Sequence, residues 1–279
     1  MDETPTPEPI PAKPAPTPKK LPPSEWRETL SFLLKLAIFV LVVRSFIFSP
    51  FSIPSESMLP RLYIGDYLFI TKWNYGYSRH SLPLSLPLIP GRILAHTPQR
   101  GDVVVFKAPP RNRDDWIKRV IGLPGDHIQV RGGQVFLNGT AIPKQRIEDF
   151  TIPVTPNYHC DAQFQDVVAG VPICRYQQFR ETLPNGKSYN VLDRGQTIAD
   201  DTEVYTVPAG HVFLMGDNRD DSQDSRFPQV EGQGIGYVPI ENLEGKAVVS
   251  VFSTDGSANW LLPWTWVSAA RWRRIGEGF

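Results

Sequence analysis

Three short segments carry side chains able to act as a nucleophile, a base or a positioning group. The first, Ile53-Pro54-Ser55-Glu56-Ser57-Met58-Leu59-Pro60, puts two serines in an extended, proline-bracketed stretch. A serine hydroxyl becomes a useful nucleophile once a neighbouring base takes its proton. Alone, this stretch also reads as a plain turn. The second runs from Trp116 to Asp126 and contains Lys118-Arg119. Side chains alternate faces on a strand, so Lys118 shares a face with Trp116 and Val120, and Arg119 shares the other with Ile117 and Ile121. A lysine on an apolar face is desolvated, which lowers its pKa and leaves a neutral amine able to act as a general base. A structural lysine whose stem covers apolar surface fits the same residues. The third segment, Gly216-Asp217-Asn218-Arg219-Asp220-Asp221-Ser222-Gln223-Asp224-Ser225-Arg226, is a dense polar loop. Read from Asp220 as a calcium loop, it has oxygen ligands at Asp220, Ser222 and Asp224, with Glu231 in the twelfth place. However, Ser225 replaces the sixth-place glycine, and Arg226 puts a cation inside the loop. A salt-bridged loop beside a reactive site fits better, and no metal site is expected.

Other chemistries lack their residues. There is no GxSxG elbow, no HExxH, no SxxK and no glycine-rich phosphate loop. The five histidines, at 80, 96, 127, 159 and 211, fall in no ligand spacing. No cofactor is expected. The 29 basic and 29 acidic residues balance, which argues against a nucleic-acid partner. Two cysteines are too few for a disulfide scaffold or a cysteine-rich zinc module.

These segments need a framework, and 279 residues allow about two domains. Nine of the first 23 residues are proline, so residues 1–28 are expected to form a disordered, proline-rich tail. Residues 29–49, TLSFLLKLAIFVLVVRSFIFS, are long and apolar enough to cross a bilayer core of ~30 Å. Lys35 and Arg44 interrupt the run nine positions apart. At about 100° per residue they lie on opposite faces, so an amphipathic interfacial helix lacks its polar face. The exit has no small-x-small cleavage pattern, so the segment is expected to stay as an anchor. Lys13, Lys19, Lys20 and Arg27 precede it, which puts the N-terminus in the cytoplasm and residues 50–259 outside.

Beyond the anchor, strand signals dominate. Val103–Phe106, Trp116–Ile121, His127–Val130, Glu203–Val207, His211–Met215 and Ala247–Phe252 are rich in β-branched and aromatic residues. Asn138-Gly139 sits between two apolar runs, a strong hairpin signal, and Asn185-Gly186 repeats it. These residues indicate an antiparallel, mostly β domain, closed or sandwiched. Residues 260–279 hold Trp260, Trp264, Trp266 and Trp272 beside Arg271, Arg273 and Arg274. That composition suits a membrane interface or a segment packed on the β core. The apolar loop 81–90 has the same two readings.

In this order the segments resemble the type I signal peptidases, the membrane-bound bacterial leader peptidases. The chain carries PSESM (54–58), GDVVVF (101–106), KRVIGLPGD (118–126) and GDNRDDSQDSR (216–226) after its apolar span. The resemblance covers about residues 29–256. One departure is Arg61, where the family usually has threonine. It bears on the local turn and the electrostatics of the mouth, not on the nucleophile.

The resemblance implies a mainly β fold: an antiparallel sheet or partly closed barrel, with a smaller β insert at about 127–208, behind one transmembrane helix. It implies a membrane-anchored serine endopeptidase that removes signal peptides from secreted preproteins after an Ala-x-Ala site. Ser57 would be the nucleophile and Lys118 the base. The Ser57 amide and Ser55 hydroxyl would hold the oxyanion. Ser222 would hydrogen-bond and aim the lysine, and Asp217, Arg219, Asp224 and Arg226 would hold its loop through charge pairs. Phe51, Ile53, Met58, Leu62, Trp116 and Ile117 would wall the substrate pocket. The partners implied are preproteins, the lipid bilayer and the vicinity of the export translocon, at the bacterial inner membrane. Cys160 and Cys174 are a disulfide candidate, with two free thiols as the alternative. Two other functions fit fewer of these residues: a Ser/Lys protease dedicated to one exported substrate, and a non-catalytic, membrane-anchored binding module.

Overall fold

The structure is a computed structural model that describes residues 25–259 and 261–279. Most of the expected tail and Trp260 lie outside the described residues. Contacts divide the chain into two units, between Val40 and Leu41.

The apolar segment forms one helix, Glu25–Phe46. Its 22 residues span about 33 Å, and it is long and apolar enough to cross a membrane. It starts earlier and stops earlier than the expected 29–49. Pro50 explains the stop: it has no N–H to donate and pushes Ser49 out of helical geometry. Phe48–Ser52 instead becomes a strand at the edge of the main sheet, where proline is tolerated. The helix's last carbonyls find side-chain partners: Ser49 Oγ donates to Arg44 O (2.7 Å), and Tyr77 Oη to Phe46 O (3.0 Å).

The main sheet has seven antiparallel strands. Its spatial order is Phe48–Ser52, Asp66–Thr71, Leu243–Ser253, Val103–Lys107, Asp115–Gly122, His211–Met215 and Val238–Pro239. The two end strands do not pair with each other, so the curled sheet is a partial barrel. Two smaller sheets lie between His127 and Thr206. One joins His127–Arg131, Gln134–Leu137, Thr140–Ala141 and Tyr205–Thr206. The other is built around the long strand Val171–Thr182. Asn138 (φ +51°) and Gly139 (φ +80°) both take left-handed backbone in the tight turn between Gln134–Leu137 and Thr140–Ala141. The expected strand Glu203–Val207 shrinks to Tyr205–Thr206.

Apolar side chains bury in four clusters. Two of them grip the segment after Ser57. Met58 and Leu62 enter a cluster with Ile53, Leu68, Ile70, Val105 and Ile117. Leu59 enters another with Phe150, Tyr158, Cys174 and Tyr176 of the insert. Each fully buried side chain of this size is worth about 1.5–3 kcal/mol, which pins the loop on both sides. Cys160 and Cys174 are bonded, closing the base of the hairpin in which Gln165–Val168 pairs with Val171–Cys174.

The C-terminal segment is largely exposed in its first half and packed in its last residues. Trp264, Trp266 and Trp272 are exposed around the short helix Trp264–Ala269. The last residues instead pair with the main sheet, and Phe279 packs on its core.

Candidate active site

Ser57 sits at the end of an extended stretch that leaves the edge strand. Immediately after it the chain turns: Arg61 and Leu62 both donate backbone hydrogen bonds to Met58 O at 2.9 Å. Lys118 lies in the strand Asp115–Gly122, 61 positions later. Its Nζ stands 2.6 Å from Ser57 Oγ, with both residues buried. Its ammonium also lies 5.4 Å from the Trp116 ring centroid, as expected for two side chains on one strand face. Burial lowers the Lys118 pKa to about 8, although Asp224, Asp217 and Asp221 pull the other way. About a tenth of such lysines are neutral at pH 7, against fewer than one in a thousand at the ordinary value.

The polar loop docks on the Ser57 segment through Asn218. Asn218 N donates to Ser57 O (3.1 Å), and Asn218 Nδ2 to Glu56 O (3.2 Å). Gly216 is required by close approach: a Cβ there would overlap Ser222 Oγ and stand 2.5 Å from Ser57 O. Arginines hold the loop's carboxylates. Arg119 binds Asp217 through both Nε (2.7 Å) and Nη2 (2.5 Å). Arg226 binds Asp224 at 2.9 Å, and this pair, with the Gly216 N–H, overcomes burial to hold the Asp224 carboxyl below its usual range. Arg219 reaches past the loop's own acids to the buried Glu181, on the long insert strand, at 2.5 Å. Tyr189 Oη donates to the same Glu181 at 2.9 Å.

A cleft of about 740 Å³ opens over Ser57 and Lys118. Phe51, Ile53, Trp116 and Ile117 line it, as does Val105, which the sequence did not suggest. Met58 and Leu62 were expected on this wall but lie fully buried behind it. The chain turns back on itself after Ser57, with Leu62 N bonded to Met58 O, so these two residues enter the same buried cluster. Ser55 is exposed and its Oγ lies 3.4 Å from Ser57 Oγ. Ser222 lines the cleft, but its hydroxyl makes no hydrogen bond among the described residues, so the expected bond to Lys118 is not formed. Glu56 lines the same cleft, and burial plus the nearby Asp221 raise its pKa.

Sequence reasoning missed Gly216, Asn218 and Glu181. The first two lie inside the polar loop already singled out. Glu181 carried no local signal, because its role depends on Arg219, 38 positions away.

Residues 26–252 match the family model described as "Signal peptidase, peptidase S26". The chain is 36% identical over 267 residues to the signal peptidase I of Rickettsia typhi, covering 89% of this chain and 92% of that one. It is 38% identical over 229 residues to that of Rickettsia akari, covering 79% and 76%. A crystal structure of a signal peptidase I from Enterococcus faecalis aligns with a TM-score of 0.29 at 27% identity, over 54% of this chain and 97% of that one.

A serine peptidase with an apolar N-terminal helix suited to membrane anchoring is the class these observations define. The chain belongs to the signal peptidase family S26, and its relatives there are bacterial signal peptidases I.

Proposed function

We propose that this protein removes signal peptides from exported preproteins by a Ser57–Lys118 dyad through an acyl-enzyme. The observation that carries the reading is the 2.6 Å contact between Lys118 Nζ and Ser57 Oγ, made by a lysine whose pKa burial has lowered to about 8. Neutral Lys118 takes the Ser57 proton as Oγ attacks the scissile carbonyl. The carbonyl oxygen becomes an oxyanion and accepts hydrogen bonds from Ser57 N–H and Ser55 Oγ. Ser57 N–H has no acceptor among the described residues, and Ser55 is exposed to the cleft. The Lys118 ammonium then protonates the leaving amine. A water, deprotonated by Lys118, attacks the acyl carbon and frees Ser57.

The substrate is the C-terminal end of a signal peptide, with small residues at the first and third positions before the cut. Phe51, Ile53, Val105, Trp116 and Ile117 exclude larger side chains by volume. An extended chain docks by strand addition. Pairing between Asp115–Gly122 and His211–Met215 stops at Arg119, so the edge from Asp115 to Lys118 is open on that side. Asp217, Arg219, Asp224 and Arg226 hold the polar loop against Ser57, and Ser222 packs there without binding the lysine. The basic residues before the helix put the N-terminus in the cytoplasm and the cleft outside the bacterial inner membrane, near the translocon.

The test is cleavage of a preprotein with an Ala-x-Ala site by the full chain in detergent. Wild type is expected to cut after the second alanine, while Ser57→Ala and Lys118→Ala are inactive. An active Lys118→Ala enzyme would overturn the base assignment. Wild type that cuts no preprotein would overturn the function.

A further inference from the structure

The segment Ile275–Phe279 returns from the tryptophan-rich region to the back of the nucleophile's core. Ser250 N donates to Glu277 O (2.9 Å), Gly276 N to Ser250 O (2.8 Å) and Phe279 N to Val248 O (3.3 Å). The segment thus extends the ladder along Leu243–Ser253, beyond Lys246, where pairing with Val103–Lys107 ends. It lands on Arg61. Arg61 Nη1 binds Glu277 Oε1 at 3.0 Å, and Arg61 Nη2 donates to Gly278 O. The guanidinium lies 5.1 Å from the Phe279 ring centroid. Arg274 completes the clamp. It binds Glu277 (3.2 Å) and the fully buried Asp66 (2.5 Å), and donates to Arg61 O (2.9 Å).

Phe279 is the apolar end of this strap. It packs on the buried cluster that includes Ile53, Met58, Leu62, Val105 and Ile117. Three of these, Ile53, Val105 and Ile117, also line the cleft. The cluster therefore has the cleft on one side and Phe279 on another. Close-packed side chains transmit a change in volume, because the interior has little free space to absorb it. Arg61 belongs to the turn that starts one residue after Ser57, so the strap is tied to the nucleophile's own loop.

We propose that Ile275–Phe279, clamped by Arg61, is a specificity element that keeps the apolar wall of the cleft compact and so excludes large substrate side chains. This rests on the peptidase reading of the cleft. Phe279 and Arg61 are positioning residues: neither touches the reacting atoms. Removing the Phe279 ring loosens Ile53, Val105 and Ile117, and a larger side chain at the residue before the cut then fits at smaller cost.

The experiment compares kcat/KM for two full-length preprotein substrates, with alanine or valine immediately before the cut. The enzymes are wild type, Phe279→Ala, Phe279→Leu, Arg61→Ala and Arg61→Lys. The alanine-over-valine preference is expected to fall by roughly fivefold or more in Phe279→Ala and Arg61→Ala, on the scale of a methylene or two in an apolar pocket. It should fall less in Phe279→Leu and Arg61→Lys, which keep part of the volume and the charge. The pH at which activity rises should not move. Preference within twofold of wild type in every variant would overturn the proposal, as would an equal loss on both substrates. Should Phe279→Ala fail to fold, the Arg61 pair decides, since Arg61 is only partly buried and outside the packed cluster. A wild-type enzyme that cuts neither substrate would overturn the peptidase reading itself, a result separate from unchanged preference in an active enzyme.

Discussion

Lys118 and Arg119 are chain neighbours on one buried strand, and their opposite environments give them opposite chemistry. Arg119 points to Asp217 and meets it with two hydrogen bonds. Lys118 points the other way, and its hydrogen bond goes to a neutral hydroxyl, Ser57 Oγ. A buried cation with a bidentate carboxylate keeps its charge, and the pKa of Arg119 is raised despite burial. A buried cation facing a neutral hydroxyl gives up its proton readily. Strand alternation alone separates the carboxylate-paired arginine from the lysine that faces Ser57.

The pH dependence follows. The proposed mechanism needs neutral Lys118, whose pKa burial lowers to about 8. The expected outcome is a kcat/KM that rises with pH and levels off above about 8, with tenfold loss per unit well below it. A pH–rate profile on a preprotein checks this, and a half-rise near 10 would show that Lys118 is not desolvated in solution.

Desolvation of Lys118 also costs stability. Its folded pKa, about 8, lies below the ordinary 10.5, so the unfolded chain binds more protons between those pH values. Stability from this group therefore rises with pH across about 8 to 10.5, and the full cost stands below 8. That cost is about 3 kcal/mol. Lys118→Met is expected to be inactive yet more stable than wild type by about 1–3 kcal/mol at pH 7, with the gain shrinking by pH 10. Denaturant unfolding at both pH values decides it. An equal difference at each would contradict the linkage.

Ser55 is expected to act on kcat rather than on binding. Its Oγ lies 3.4 Å from Ser57 Oγ and belongs to an exposed side chain, and the proposed mechanism uses it as an oxyanion donor. Ser55→Ala should lower kcat by about 10²–10³ with KM little changed. A loss confined to KM would place Ser55 in ground-state binding.

Glu181 should be a stability residue with an indirect effect on the site. Glu181→Ala leaves the buried Arg219 guanidinium without its partner and is expected to cost about 3–5 kcal/mol. Thermal unfolding measures this. A loss below about 1 kcal/mol would mean that Arg219 finds another acceptor in the loop.

The Cys160–Cys174 bond should matter to the insert rather than to the chemistry. It closes a short loop of sequence separation 14, which the chain-entropy account values at about 3 kcal/mol. Cys160→Ser with Cys174→Ser is expected to lower stability by that order while leaving the pH at half-activity in place. A shifted pH profile would show that the insert tunes Lys118.

Much of this protein was legible in its sequence because the relevant physics is local. A long apolar run whose two charges fall on opposite faces has one common use, so the helix showed. Alternation and Asn-Gly chemistry are set within a few residues, so most main-sheet strands and the Asn138-Gly139 turn showed. Residue types in their spacing brought Ser57, Lys118 and the 216–226 loop forward, and their resemblance to one family supplied the roles. What lay beyond reach was set by residues meeting across the fold. Met58 and Leu62 moved from the cleft wall to the core because the chain turns back on itself after Ser57. Ser222 lost its expected bond to the lysine. Glu181 became Arg219's partner, and Phe279 a neighbour of the nucleophile's loop, through contacts 38 and more than 200 positions long. Periodicity and motif fix which face a side chain takes along its own segment. Only the folded sheet decides what stands opposite it, and that partner keeps one cation charged while burial lowers the pKa of the next.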